Sequence, residues 1–251
     1  MKLVISPAKK LELNKDFPKL NYTRPAFLDE AEKIVSVMRT KSPAEIKKMM
    51  KLSDSLANLN WERYQTWKKE IDKTARPAIF TFNGNVYNSL NIYNLPAEKL
   101  PLAQQTIRVL SGVYGVLRPY DLIYPYRMEM GTKLSFNHYK NLYQFWRERM
   151  TKYLNDEMQE GELLINLASQ EYFKAIDTKQ FKHKIIHIDF KEYKDDTYKT
   201  IGIYAKIARG LMTRFIIQNN IETKEELILF NENNYAYDAN LSTANRLVFT
   251  R

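Results

Sequence analysis

The sequence predicts a mixed α/β fold of the α+β kind. It reads as a single compact domain over residues 1–251, with a mixed central sheet, surrounding helices and a helix–hairpin–helix element. Three observations carry this expectation. Short apolar runs of strand character alternate with amphipathic stretches of helical period along the chain. The alternation lacks a strict βαβ rhythm, so a purely parallel sheet is not implied. No repeat, low-complexity tract or Ser/Gly linker divides the 251 residues, a length that buries a sizeable core in one unit.

The elements follow in order. Residues 2–6 read as a first strand, and residues 26–40 as a helix with Phe27, Ala31, Ile34, Val35 and Met38 on one face. Ser42-Pro43-Ala44-Glu45 starts a helix: serine caps, proline suits the first helical position and glutamate completes a capping box. That helix carries Lys47, Lys48 and Lys51 into a tight hairpin, Leu52-Ser53-Asp54-Ser55-Leu56, and a second helix follows with a break near Asn60. Residues 42–72 are thus the expected helix–hairpin–helix. Residues 78–82 read as a strand before an Asn83-Gly84 turn, and residues 106–111 as another. Residues 139–158 predict a long helix with Leu142, Phe145, Trp146, Met150 and Tyr153 inward, and residues 162–167 a strand. Ser169 reads as the cap of a short helix through Ile176, with Glu171 near its positive end. Residues 184–193 and 198–203 form a strand pair across a polar turn, residues 203–218 a helix, and residues 246–250 a last strand.

Composition bounds the function. Hydrophobic residues make up 44% and charged residues 27%, as in ordinary globular proteins. No apolar run is long enough to span a bilayer and the apolar start is too short for a signal peptide, so a cytoplasmic protein with no membrane partner is expected. The chain has no cysteine, which excludes disulfides, thiolate nucleophiles and cysteine-held metals. With three histidines, neither a metal nor a cofactor is expected. A net charge of +10 favours a polyanionic partner, nucleic acid first, over the plainer reading of a solvated lysine-rich surface.

Four stretches carry candidate chemistry. LSGVYGVLRPYDLIYPYRMEMGT, residues 110–132, holds three of the seven glycines together with Arg118, Asp121, Arg127 and Glu129. Its glycines permit a turn or a close approach to a ligand, and its arginines offer planar forks to phosphate or carboxylate. Asp121 and Glu129 are the alternative partners of those arginines, in a structural corner. On a helical wheel of residues 203–218, Tyr204, Ile207, Ala208, Leu211, Met212, Phe215 and Ile216 share the core side. Lys206, Gly210 and Thr213 lie opposite, flanked by Arg209 and Arg214. This is a small floor for a phosphate, a solvated basic face, or a helix contact at the glycine. The hairpin of residues 42–72 could present backbone N–H groups to phosphate, although it contains Asp54 and no glycine. His183 and His187, with Asp189, read as ordinary strand residues before a metal site.

Together these motifs resemble the YaaA family, bacterial proteins associated with peroxide resistance. The resemblance rests on VISPAK at 4–9, the stretch at 110–132, NLASQEYFKAI at 166–176, KIARGLMTRFI at 206–216, and Ser242, Phe249 and Arg251 in the tail. It implies a cytoplasmic protein that limits oxidative damage to DNA and keeps free iron low, built as one mixed α/β domain with a basic cleft and a DNA-binding helix–hairpin–helix. The family motifs fall on Lys9, Arg118, Asp121, Arg127, Glu129, Ser169, Glu171, Tyr172, Lys206, Arg209 and Arg214, which are expected to converge on one cleft.

The leading expectation is a monomeric DNA-binding stress protein that holds phosphates through Lys9, Lys47, Lys48, Lys51, Arg118, Arg127, Lys206, Arg209 and Arg214, with little base readout. The alternative is an enzyme acting on a nucleotide, a damaged base or another phosphorylated small molecule in the same cleft. It draws on Asp121, Glu129, Ser169, Glu171 and Tyr172, with Tyr172 or Glu171 as first candidates for the acid–base role. An iron-binding protein is a third reading, with only carboxylates as ligands.

Overall fold

The computed structural model describes all 251 residues. Its strands are β1 (Lys2–Ile5), β2 (Lys10–Leu11), β3 (Arg76–Pro77), β4 (Phe82–Asn83), β5 (Ile107–Ser111), β6 (Gly115–Leu117), β7 (Leu122–Ile123), β8 (Leu163–Asn166), β9 (Lys184–Lys194), β10 (Thr197–Lys199), β11 (Ala236–Tyr237) and β12 (Arg246–Thr250). The main sheet has the order β11-β12-β9-β8-β1-β5-β6, with β10 paired to β9. Strands β5, β1, β8, β9 and β12 run parallel, whereas β6, β10 and β11 add antiparallel partners. The sheet is therefore mixed, as the irregular alternation predicts. Its centre is covered on both faces: β5 is buried at every position, and so are Leu3, Val4 and Ile5.

The helices are α1 (Leu28–Arg39), α2 (Pro43–Met50), α3 (Asp54–Thr66), α4 (Ala78–Thr81), α5 (Asn85–Leu90), α6 (Leu100–Thr106), α7 (Leu142–Glu157), α8 (Gln170–Phe173), α9 (Gly202–Gln218) and α10 (Lys224–Leu227). Sixty-eight buried hydrophobic residues form one core cluster. Seven of the nine methionines, among them Met38, Met128, Met150 and Met212, are buried. No helix is long and apolar enough to cross a membrane.

Helices α2 and α3 form as the caps dictate. Ser42 and Glu45 make the expected capping box, and Ser53 accepts the Leu56 N–H at the start of α3. Lys51 ends α2 in the left-handed region (φ 53°), its N–H bonded to the Lys47 carbonyl, which turns the chain within a few residues. The expected break near Asn60 is absent: the residue is buried within α3 and its amide donates to the Leu56 carbonyl at 2.7 Å.

Other expectations are corrected. Residues 78–82 are helix α4 followed by the short β4, not one strand. The run is buried throughout and apolar except for Thr81, and periodicity cannot separate strand from helix in such a run. The antiparallel strand that follows β9 across the turn is only the short β10, not residues 198–203, because residues 200–201 leave the sheet and Gly202 already begins α9. The turn between them is Asp195-Asp196, both at positive φ. Ser169 precedes α8 without capping it through its side chain, and α8 stops at Phe173 rather than Ile176. The wheel for α9 is also incomplete. Gly210 and Thr213 are buried along with Ala208, Met212 and Ile216, because α9 packs against both α5 and β9, while Tyr204 is 40% exposed.

Candidate functional site

Strands β5, β1 and β8 run in one direction, so their carboxyl ends emerge on one edge of the sheet, where ligands of α/β sheets commonly bind. The Ser6 hydroxyl donates to Ser169 Oγ at 3.2 Å and accepts the Ser169 N–H at 2.8 Å, which ties the loops after β1 and β8 together. This is where the Ser169 hydroxyl goes in place of a helix cap. Lys9 follows on the first loop and α8 on the second.

Helix α2 faces this edge. Lys41, Lys48, Met49 and Lys51 from α2 and its ends, with Lys9, Glu129, Lys133 and Glu171 opposite, line a recess of about 730 Å³. Every carboxylate in it is engaged. Glu45 serves the α2 cap and pairs with Lys41 at 3.5 Å. Glu129 accepts Lys9 at 2.9 Å and Arg127 at 3.2 Å. Glu171 accepts the Gly131 N–H at 3.0 Å. Lys48, Lys51 and Lys133 are exposed and have no carboxylate partner. Lys47 is taken up by Asp54 at 2.8 Å. The recess is therefore a cationic surface whose acids hold its frame.

Glu129 is its inner anchor. Burial acts to raise its pKa, but the Lys9 hydrogen bond and the Arg127 charge outweigh it, so the carboxyl sits below its usual range. Its second oxygen, Oε2, is buried without a partner. Lys9, Arg127, Glu129 and Tyr172 also border a cavity of about 10 Å³, too small for anything larger than a water molecule. Burial pushes the Tyr172 phenol far above its ordinary pKa, so it stays protonated and is not a base at neutral pH.

The expected single cleft is not what forms: the other motif residues lie elsewhere. Arg118 is fastened to Asp121 at 3.2 Å, and Asp121, 1% exposed, also accepts Thr23 Oγ1 at 2.6 Å and the Arg118 N–H at 2.8 Å. Burial raises the Asp121 pKa against the pull of Thr23 and Arg118. This knot pins residue 23 to the loop after β6. Arg214 donates at 3.0 Å to the carbonyls of Leu90, Asn91 and Asn94, closing the carboxyl end of α5. Gly210 is the seat of the α5 contact, not a floor for phosphate: a Cβ there would lie 2.1 Å from the Val86 carbonyl oxygen. Likewise Gly115, at φ 69°, makes the β5–β6 turn against Trp146. Lys206 is exposed on α9.

Arg209 lines a second hollow of about 870 Å³ beyond the carboxyl end of β8. Asn166, Lys174, His187 and Arg246 line it too; none of the four is among the phosphate-binding residues expected from the sequence, and His187 enters there only as a strand histidine weighed against a metal site. They come from β8, the end of α8, β9 and β12, and only the sheet order joins them. Lys41 and Lys133 of the first recess were also passed over, although Lys133 directly follows the motif ending at Thr132. Helix α8 divides the two hollows: Glu171 serves the first, and Gln170 and Phe173 the second.

A family model described as "Peroxide stress protein YaaA" matches residues 1–241. The chain is 50% identical to a "UPF0246 protein" of Flavobacterium johnsoniae over 252 aligned residues, covering 100% of both chains. It is 51% identical to a UPF0246 protein of Flavobacterium psychrophilum, again over 100% of both. A UPF0246 protein of Marinomonas sp. is 46% identical, over 100% of this chain and 97% of the relative.

Proposed function

The chain belongs to the YaaA family of peroxide stress proteins, and from that premise we propose that it is a cytoplasmic DNA-binding protein that shields the duplex backbone from oxidative damage. The observation that carries this reading is the lysine-lined recess beside α2, where Lys48, Lys51 and Lys133 have no carboxylate partner and Lys9 is 64% exposed. Glu129 and Glu171 support the frame of that recess. Exposed ammonium groups at the end of α2 (Lys48, Lys51) and on the facing loop (Lys133) suit phosphates better than base edges, so binding is insensitive to sequence. Lysines at the backbone release condensed counterions. Ferrous iron is among the cations so displaced, and in this reading the protein limits iron where it does harm, at the DNA, without holding the metal.

The test is duplex binding by fluorescence anisotropy across a salt series. Lys48→Gln with Lys51→Gln lowers affinity for all sequences alike. It also flattens the slope of log K against log salt by about 1.8, at about 0.9 per phosphate contact. A double variant with unchanged affinity and slope removes this recess from the interface. In the same assay series, the wild-type protein slows strand cleavage by ferrous iron and peroxide, and the double variant does so less.

A second reading, an enzyme acting on a nucleotide, damaged base or other phosphorylated small molecule in this recess, has one observation behind it: the unpartnered buried Oε2 of Glu129 beside Lys9 and Arg127. Release of an oxidised base or nucleotide from a damaged duplex, lost in Glu129→Gln, would decide for it.

A further inference from the structure

The hollow on the far side of α8 has its own chemistry. Arg209 projects from α9 and is half-buried, with Nε wholly enclosed and without a hydrogen-bond partner. Asp189 is the carboxylate whose charge bears on it, and Asp189 is already paired to Arg246. A guanidinium offers five donors in a planar fork, and a buried cation left without an anion is unfavourable. Lys174, at the exposed end of α8, and Arg147 add positive charge to the same hollow and have no carboxylate partner.

A neutral donor completes the set. Asn166 Oδ1 accepts the Ala168 N–H at 3.0 Å, which fixes the amide so that Nδ2 faces His187 Nδ1 at 3.0 Å. Nδ1 is then the acceptor and the ring proton sits on Nε2. Burial and the nearby Arg246 charge keep this imidazole neutral. The ring also meets Phe173 edge-on at 5.3 Å, so its orientation is fixed.

We propose that this hollow is a binding site for the terminal phosphoryl group of a small phosphomonoester, with Arg209 as the fork, His187 Nε2–H as a neutral donor and Lys174 as the charge at the mouth. A volume of about 870 Å³ admits a molecule of nucleotide size. The site lies beyond the carboxyl end of β8, where β9 and β12 continue past it and wall the hollow. It is distinct from the lysine recess, and its test uses the protein without DNA, so it stands or falls apart from the duplex reading.

The experiment is isothermal titration of the full chain at low salt with inorganic phosphate, adenosine 5′-monophosphate and adenosine. Phosphate and the monophosphate bind at one site, and adenosine binds far more weakly. Arg209→Gln weakens the monophosphate by about 10- to 100-fold, the effect of losing a charge-assisted fork. Arg209→Lys, which keeps the charge without the fork, falls between. Should Arg209→Gln fail to fold, Lys174→Gln at the exposed end of α8 carries the test with a several-fold loss. Absence of phosphate and monophosphate binding, equal binding of adenosine, or an unaffected folded Arg209→Gln would each overturn the proposal.

Discussion

An alanine at position 210 would place its Cβ 2.1 Å from the Val86 carbonyl oxygen, 2.8 Å from Ser89 Cβ and 3.0 Å from the Leu90 nitrogen. Two of these atoms belong to the backbone of α5, so no side-chain rotation relieves the clash, and α5 and α9 must move apart. Overpacking of this kind costs about 1–3 kcal/mol. The separation also strains the three bonds by which Arg214 holds the end of α5. Alanine's advantage in a helix, about 1 kcal/mol over glycine, offsets part of the loss. With the contact so far inside normal packing distance, Gly210→Ala is expected to lose about 2 kcal/mol. At about 2–4 °C per kcal/mol for a chain of this size, Tm falls by about 4–8 °C. Gly202→Ala, in the first turn of the same helix, meets nothing within 4 Å and is the control, neutral or stabilising by up to about 1 kcal/mol. Scanning calorimetry reads both. A Gly210→Ala variant melting at or above the wild type would refute the close contact and return the glycine to the role of a floor for phosphate.

Two further outcomes follow from buried charge. Arg108, 2% exposed, meets Glu157 through both Nε and Nη2. Glu157→Ala strands that guanidinium and costs about 3–5 kcal/mol in urea unfolding, whereas the joint replacement Arg108→Met with Glu157→Leu costs far less. For His187, burial and the Arg246 charge lower the folded pKa below 6.5, with Asp189 pulling the other way. The unfolded chain therefore takes up a proton at higher pH than the folded one. The stability is intact above 6.5 and declines as pH falls toward the folded value. His187→Gln flattens that decline, and an unchanged pH profile in the variant would show that another group causes it.

Legibility in the sequence followed locality. The capping box at Ser42, the long helix α7 and the strands β1, β5, β8, β9 and β12 are written in period, caps and turn residues, which act over a few positions. Helix α4 was misread because its run is buried on all sides and carries no periodic contrast. The outer face of α9 was misread for the related reason that a helix between a sheet and another helix has two buried sides. The motif residues were recognisable, but their grouping was not. Arg118, Arg209 and Arg214 look alike as cations in motifs, and only the folded chain separates a knot on Asp121, a hollow beyond β8 and a clamp on α5. Adjacency in the sheet brought Asn166, His187 and Arg246 together across some eighty residues.

Peroxide modifies sulfur in proportion to its exposure, thiolates first and thioethers next. This chain has no cysteine, and the core encloses seven of its nine methionines, leaving Met1 and Met49 partly covered. A protein so made offers peroxide little sulfur to react with. Its lysine pattern survives peroxide levels that would oxidise a thiol. Met49, at the rim of the lysine recess, is the place where prolonged exposure would first leave a mark.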